Sequence, residues 1–135
     1  MKRGVLTLGI AVLLGSIAAH AHHAISSYYD SSRPATVEGV VTEFRFVNPH
    51  PFVMMEVKDA RGAAQAWKLE MDNRSELARI GVTSTTLKPG DRVVVTGSLA
   101  RSEAQSLYIR KLERPADGFT YEQVGSSPRV TSRAR

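Results

Sequence analysis

The chain has 135 residues, carries 18 Lys and Arg against 13 Asp and Glu for a formal charge of +5, and contains no cysteine. The lack of thiols excludes disulfides, thiolate metal sites, cysteine nucleophiles and a lipid-modified cysteine. The basic surplus is modest and partly carried by Lys2, Arg3, Arg129, Arg133 and Arg135, which argues for a solvated surface and against a nucleic-acid face.

Lys2 and Arg3 precede an apolar stretch from Val5 to Leu14, and Ala19-His20-Ala21 follows with a small-x-small pattern. This combination predicts a secretory leader over residues 1–21. The apolar stretch is too short for a spanning helix of roughly 20 residues, and none follows it. A soluble periplasmic or secreted protein is therefore expected. Cleavage after Ala21 would leave His22-His23 as the new terminus; cleavage after Ala19 would leave His20-Ala21-His22-His23. Residues 22–35 then read as an N-terminal arm.

A first strand is expected from Val37 to Val47, with Val40, Thr42, Phe44 and Phe46 on one face and Val41, Glu43 and Arg45 on the other. Gly39 is expected to mark a bulge or a sharp bend. Asn48-Pro49-His50-Pro51 interrupts the alternation, because proline cannot donate to a ladder and restricts the residue before it. Phe52 to Lys58 reads as a second strand with Val53, Met55 and Val57 inward. After the turn Asp59-Ala60-Arg61-Gly62, a third strand runs from Gln65 to Met71, with Trp67, Leu69 and Met71 inward.

Asn73 with Glu76 forms a capping-box signal, Leu77 and Ile80 are an apolar pair, and Gly81 suits a helix stop. A helix of about two turns is expected there, stable only if packed. Leu87-Lys88-Pro89-Gly90-Asp91 is a turn leading to a fourth strand, Arg92 to Leu99, and a fifth runs about Leu107 to Leu112. The order β-β-β-α-β-β predicts a mainly β fold, a five-stranded OB-type barrel over residues 36–113, closed at one end by the helix. Residues 114–135 read as a trailing segment, beginning with a turn at Asp117-Gly118 and disordered at its end.

With these elements in place, the chain resembles a family of small exported bacterial domains of unknown function. The resemblance rests on His22-His23 followed by Tyr29-Asp30, on Val37-Glu38-Gly39-Val40-Val41, Asn48-Pro49-His50, Trp67-Lys68-Leu69-Glu70, Arg79-Ile80-Gly81 and Leu87-Lys88-Pro89-Gly90-Asp91. It implies an exported β-rich domain and supplies no activity. At the level of fold alone, the chain is also similar to small periplasmic copper-binding OB-type barrels, which gather histidine, methionine and tryptophan at one site; the spacing of His50, Met54, Met55, Trp67 and Met71 does not reproduce their motif.

Candidate site residues follow from chemistry. An N-terminal His22 offers an α-amine and a ring nitrogen to one ion, and His23 or His50 can add further nitrogens; such a set suits copper above zinc or nickel. Against this, a histidine pair after a leader also serves simply as a polar start. His50, set between prolines, is rigidly held either as a ligand or as a hydrogen bond to backbone. Met54 has outward parity and offers a soft sulfur to Cu(I), whereas Met55, Trp67 and Met71 have core parity. Glu38, Glu43, Glu56 and Glu70 have solvent parity and are expected to pair with Arg45, Lys58 and Lys68. No nucleophile elbow or phosphate loop is present, so a binding module rather than an enzyme is expected. The alternative is a non-metal periplasmic adaptor that holds a protein or envelope ligand through Asn48, Phe52 and the face of strands 2 and 3. Nucleic acid is disfavoured because Phe52 and Tyr108 are the main outward aromatics.

Overall fold

A computed structural model describes residues 25–132. The expected leader over 1–21 and the pair His22 and His23 lie outside the described residues. After one helical turn over residues 25–28, the elements are β1 (Tyr29–Arg45), β2 (Phe52–Lys58), β3 (Ala64–Glu70), helix α1 (Arg74–Arg79), β4 (Arg92–Ala100), β5 (Ser106–Arg114), β6 (Phe119–Val124) and β7 (Ser127–Thr131).

Neighbouring strands run antiparallel in the order β3-β2-β1-β4-β5-β6-β7, and a parallel pairing of β3 with β5 through Leu69 and Leu107 joins the sheet to itself. The pairings thus make a circuit through β1, β2, β3, β5 and β4, with β6 and β7 added as a hairpin on β5. The expected count of five strands is corrected to seven. The two extra strands come from residues expected to trail as coil. They form because Gly118 takes φ of 71° and Arg114 grips both Asp117 oxygens at 3.0 and 2.9 Å, which fixes the turn. That grip holds the Asp117 carboxyl down to about 2. The hairpin then places Tyr121 in the core. At the other end, residues expected to form a loose arm belong to β1, which pairs with β4 from Tyr29 opposite Ala100.

The interior of the circuit is apolar: Val41, Val53, Met55, Leu69, Val93, Val95, Leu107, Ile109 and Leu112 are buried there together with Leu77 of α1. Each fully buried aliphatic side chain contributes about 1.5–3 kcal/mol before the cost of ordering it. On β2 and β3 the expected alternation sets these positions. On β1 it does not: Val41 pairs with Met55 but Glu43 pairs with Met54, so Thr42 is an extra residue in the ladder. This bulge changes the phase, so Val37 and Val41 face inward before it and Phe44 and Phe46 after it. The expected grouping of Val40 with Phe44 is therefore corrected. Gly39 marks no bulge; a Cβ there would lie 2.1 Å from the Glu56 carbonyl oxygen, so glycine is needed for close backbone approach. A second shift pairs Thr96 with Lys111 but Gly97 with Ile109, leaving Arg110 as the extra residue of β5.

Helix α1 has six residues. The Asn73 side chain accepts from the Ser75 N–H at 2.8 Å, and Gly81 with φ of 93° follows the last turn. Buried Leu77 ties this short helix to the core, as packing must for an element of this length.

Candidate functional site

The segment between β1 and β2 is fastened to the β3–α1 junction. The Met71 N–H donates to the Pro51 carbonyl and the Arg74 N–H to the Pro49 carbonyl, both at 2.9 Å, and Arg74 Nε reaches the Phe46 carbonyl at 3.1 Å. The Asn48–Pro49 peptide is cis. These bonds hold His50 beside Met71, where its Nδ1 lies 2.9 Å from the Met71 carbonyl oxygen. A carbonyl can only accept, so Nδ1 donates there and Nε2 is the ring nitrogen left for another partner.

Glu70 stands next to this histidine. Its Oε1 is 3.7 Å from His50 Nδ1, and its Oε2 accepts from the Tyr29 hydroxyl at 2.6 Å. The two side chains are 15% and 16% exposed, so Glu70 is not the solvent-facing carboxylate that its parity suggested. Burial, and then the Glu70 hydrogen bond, push the Tyr29 phenol well above the ordinary tyrosine range. Glu70 thus joins the site as a residue that strand parity assigned elsewhere. The other acids behave more nearly as expected: Glu43 pairs with Arg45 at 2.9 Å, while Lys68 pairs with Glu103 at 3.8 Å rather than with a strand neighbour.

His50, Tyr29 and Ile25 line a cavity of about 420 Å³ together with Asp72, Glu76, Tyr108, Arg110 and Gln123. Tyr108 has the outward parity expected of it, yet it is 3% exposed, because Ile25 and Tyr29 pack over it. Its ring lies 5.7 Å from that of Tyr29 in a tilted pair. Burial, and then the Asp72 charge, raise its phenol well above the usual range. Gln123, carried by β6, donates to Asp72 Oδ2 at 2.9 Å and to the Tyr108 hydroxyl at 3.1 Å, and accepts from Arg110. Asp72 also accepts from the Asn73 N–H at 2.8 Å. Arg110 stacks over Tyr108 at 5.2 Å, and Arg101 pairs with Asp30 at 3.2 Å.

The structure therefore brings His50 to a cavity and leaves Met54 away from its lining, on the outer face of β2 opposite Lys68. Phe52 is covered by Lys68, whose Nζ lies 4.9 Å from the ring centre, and Asn48 is exposed. Asp72, Tyr108, Arg110 and Gln123 were not expected as site residues; only the Asp117-Gly118 turn signal pointed toward the hairpin that brings Gln123. Among the described residues, no group of three His, Cys, Asp or Glu side chains could hold a metal ion.

A family model described as a family of unknown function (DUF6152) matches residues 11–108. No curated protein matches the chain. A solved structure described as a crystal structure of a complex of TiaS with tRNA and ATP matches with 16% identity and a TM-score of 0.43 over 79% of this chain. This chain spans only 30% of that one, and a likeness so slight carries no argument.

Proposed function

The chain belongs to this family of unknown function, DUF6152, and from its own residues we propose that it is an exported binding module of OB-type design that holds a copper ion between His22, His23 and His50. The observation that carries the reading is the anchoring of His50 Nδ1 on the Met71 carbonyl, in a cavity that Ile25 also lines. A metal-ligating histidine commonly has its second nitrogen fixed in this way. Ile25 lies only three positions after His22, a reach of about 10 Å at full extension. A processed terminus at His22 supplies an amine and two imidazoles, and His50 Nε2 supplies one more nitrogen, a donor set suited to Cu(II). Because the described residues contain no three-donor group, the site needs the two terminal histidines. No helix among the described residues is long and apolar enough to cross a membrane.

The test is a Cu(II) titration of the exported protein followed by EPR, after mass spectrometry has fixed its first residue. Nitrogen hyperfine structure is expected, and either His50→Ala or one alanine placed ahead of His22 should weaken binding by about tenfold or more. A protein that begins elsewhere, or a spectrum unchanged in both variants, would overturn the reading. The adaptor alternative keeps one supporting observation, the exposure of Val47 (46%) beside exposed Asn48. It predicts that Phe52→Ala, and not His50→Ala, weakens recovery of an envelope protein.

A further inference from the structure

We infer that the cavity between Asp72 and Arg110 binds a small zwitterion, a free molecule with one ammonium and one carboxylate group in the manner of an amino acid. The charges of its lining are divided. Among the described residues, Asp72 and Glu76 form no ion pair, and Asp72 is only 8% exposed. A buried carboxylate with no cation beside it is costly unless hydrogen bonds or a bound cation compensate it. Arg101 is neutralised by Asp30, whereas Arg110 has no carboxylate partner among the described residues.

A simple anion would meet two carboxylates, and a simple cation would meet the Arg110 guanidinium. A molecule with both ends satisfies both walls. The Gln123 amide already displays the required pattern: it shows an oxygen to Arg110 and N–H groups to Asp72 and Tyr108. A ligand carboxylate and ammonium would extend or displace that bridge. The position of Arg110 is also informative, since it is the extra residue of a bulge, a device that aims a side chain away from the regular ladder. The volume of about 420 Å³ falls within the range of small-molecule sites.

The test uses the full exported chain after chelator treatment, so that its outcome is separate from that of copper binding. The free L-amino acids are screened by thermal shift, and the strongest is then titrated calorimetrically beside its decarboxylated amine and its deaminated acid. At least one amino acid should bind with submillimolar affinity, and both single-charge analogues should bind about tenfold more weakly or worse. Arg110→Met and Asp72→Asn should each abolish the preference for the zwitterion. If Asp72→Asn fails to fold, the exposed Arg110→Met still decides the matter. Absence of binding by every amino acid, equal binding of the analogues, or a folded Arg110→Met with unchanged affinity would overturn the proposal.

Discussion

The interior of the strand circuit and the cavity beside it share strands and differ in how their residues are chosen. Leu69 and Leu107 meet across the parallel pairing of β3 and β5 and are fully buried, while Glu70 and Tyr108, one position along each strand, turn to the other side. There Glu70 meets Tyr29 and His50, and Tyr108 meets Gln123. The interior depends on how well its side chains fill volume. The cavity depends on hydrogen bonds, each contributing about 1 kcal/mol net, and its groups can exchange a lost partner for solvent.

The largest expected effect sharpens that contrast on the apolar side. Leu69→Ala should destabilise the protein by about 2–5 kcal/mol in urea unfolding, through lost burial and the void left behind. The next lies where the two regions meet. Tyr29, Tyr108 and Tyr121 are all buried with phenols raised by burial first. A folded state that holds its phenolic protons more tightly than the unfolded chain is favoured below the ordinary value near 10 and loses stability as pH rises beyond it. The loss is on the order of 1 kcal/mol per pH unit for each tyrosine. Because Tyr28 is exposed, the check uses a Tyr28→Phe background: tyrosinate absorbance should then appear together with loss of the circular dichroism signal, and its appearance in a fully folded protein would refute the burial. The smallest effect belongs to the cavity wall. Gln123→Ala should cost about 1–2 kcal/mol, since exposed Arg110 can turn to water while nearly buried Asp72 keeps the Asn73 N–H. A cost equal to that of Leu69→Ala would erase the distinction between the regions.

Much of the interior could be read from residue order, because alternation in β2 and β3, the Asn73 cap and the Leu87 to Asp91 turn are local signals. The ends of the sheet could not. Tyr29 to Thr36 and Phe119 to Thr131 contain scattered polar residues that resemble linkers, and they become strands by completing the open sides of β4 and β5. His50 stood out through its flanking prolines. Its companions did not, since Tyr29, Glu70, Tyr108 and Gln123 come from four strands and meet only after the circuit closes. The shift at Thr42 left no local mark, because any residue can occupy such a position when its neighbours find apolar partners.

That one inserted residue makes the long first strand two segments in opposite phase, welded end to end. If the ladder instead ran regularly through Thr42, with no residue left over, both phenylalanines that follow it would face water. For this sequence, the skipped rung is the condition for correct assembly, and an even ladder would turn the end of the strand inside out.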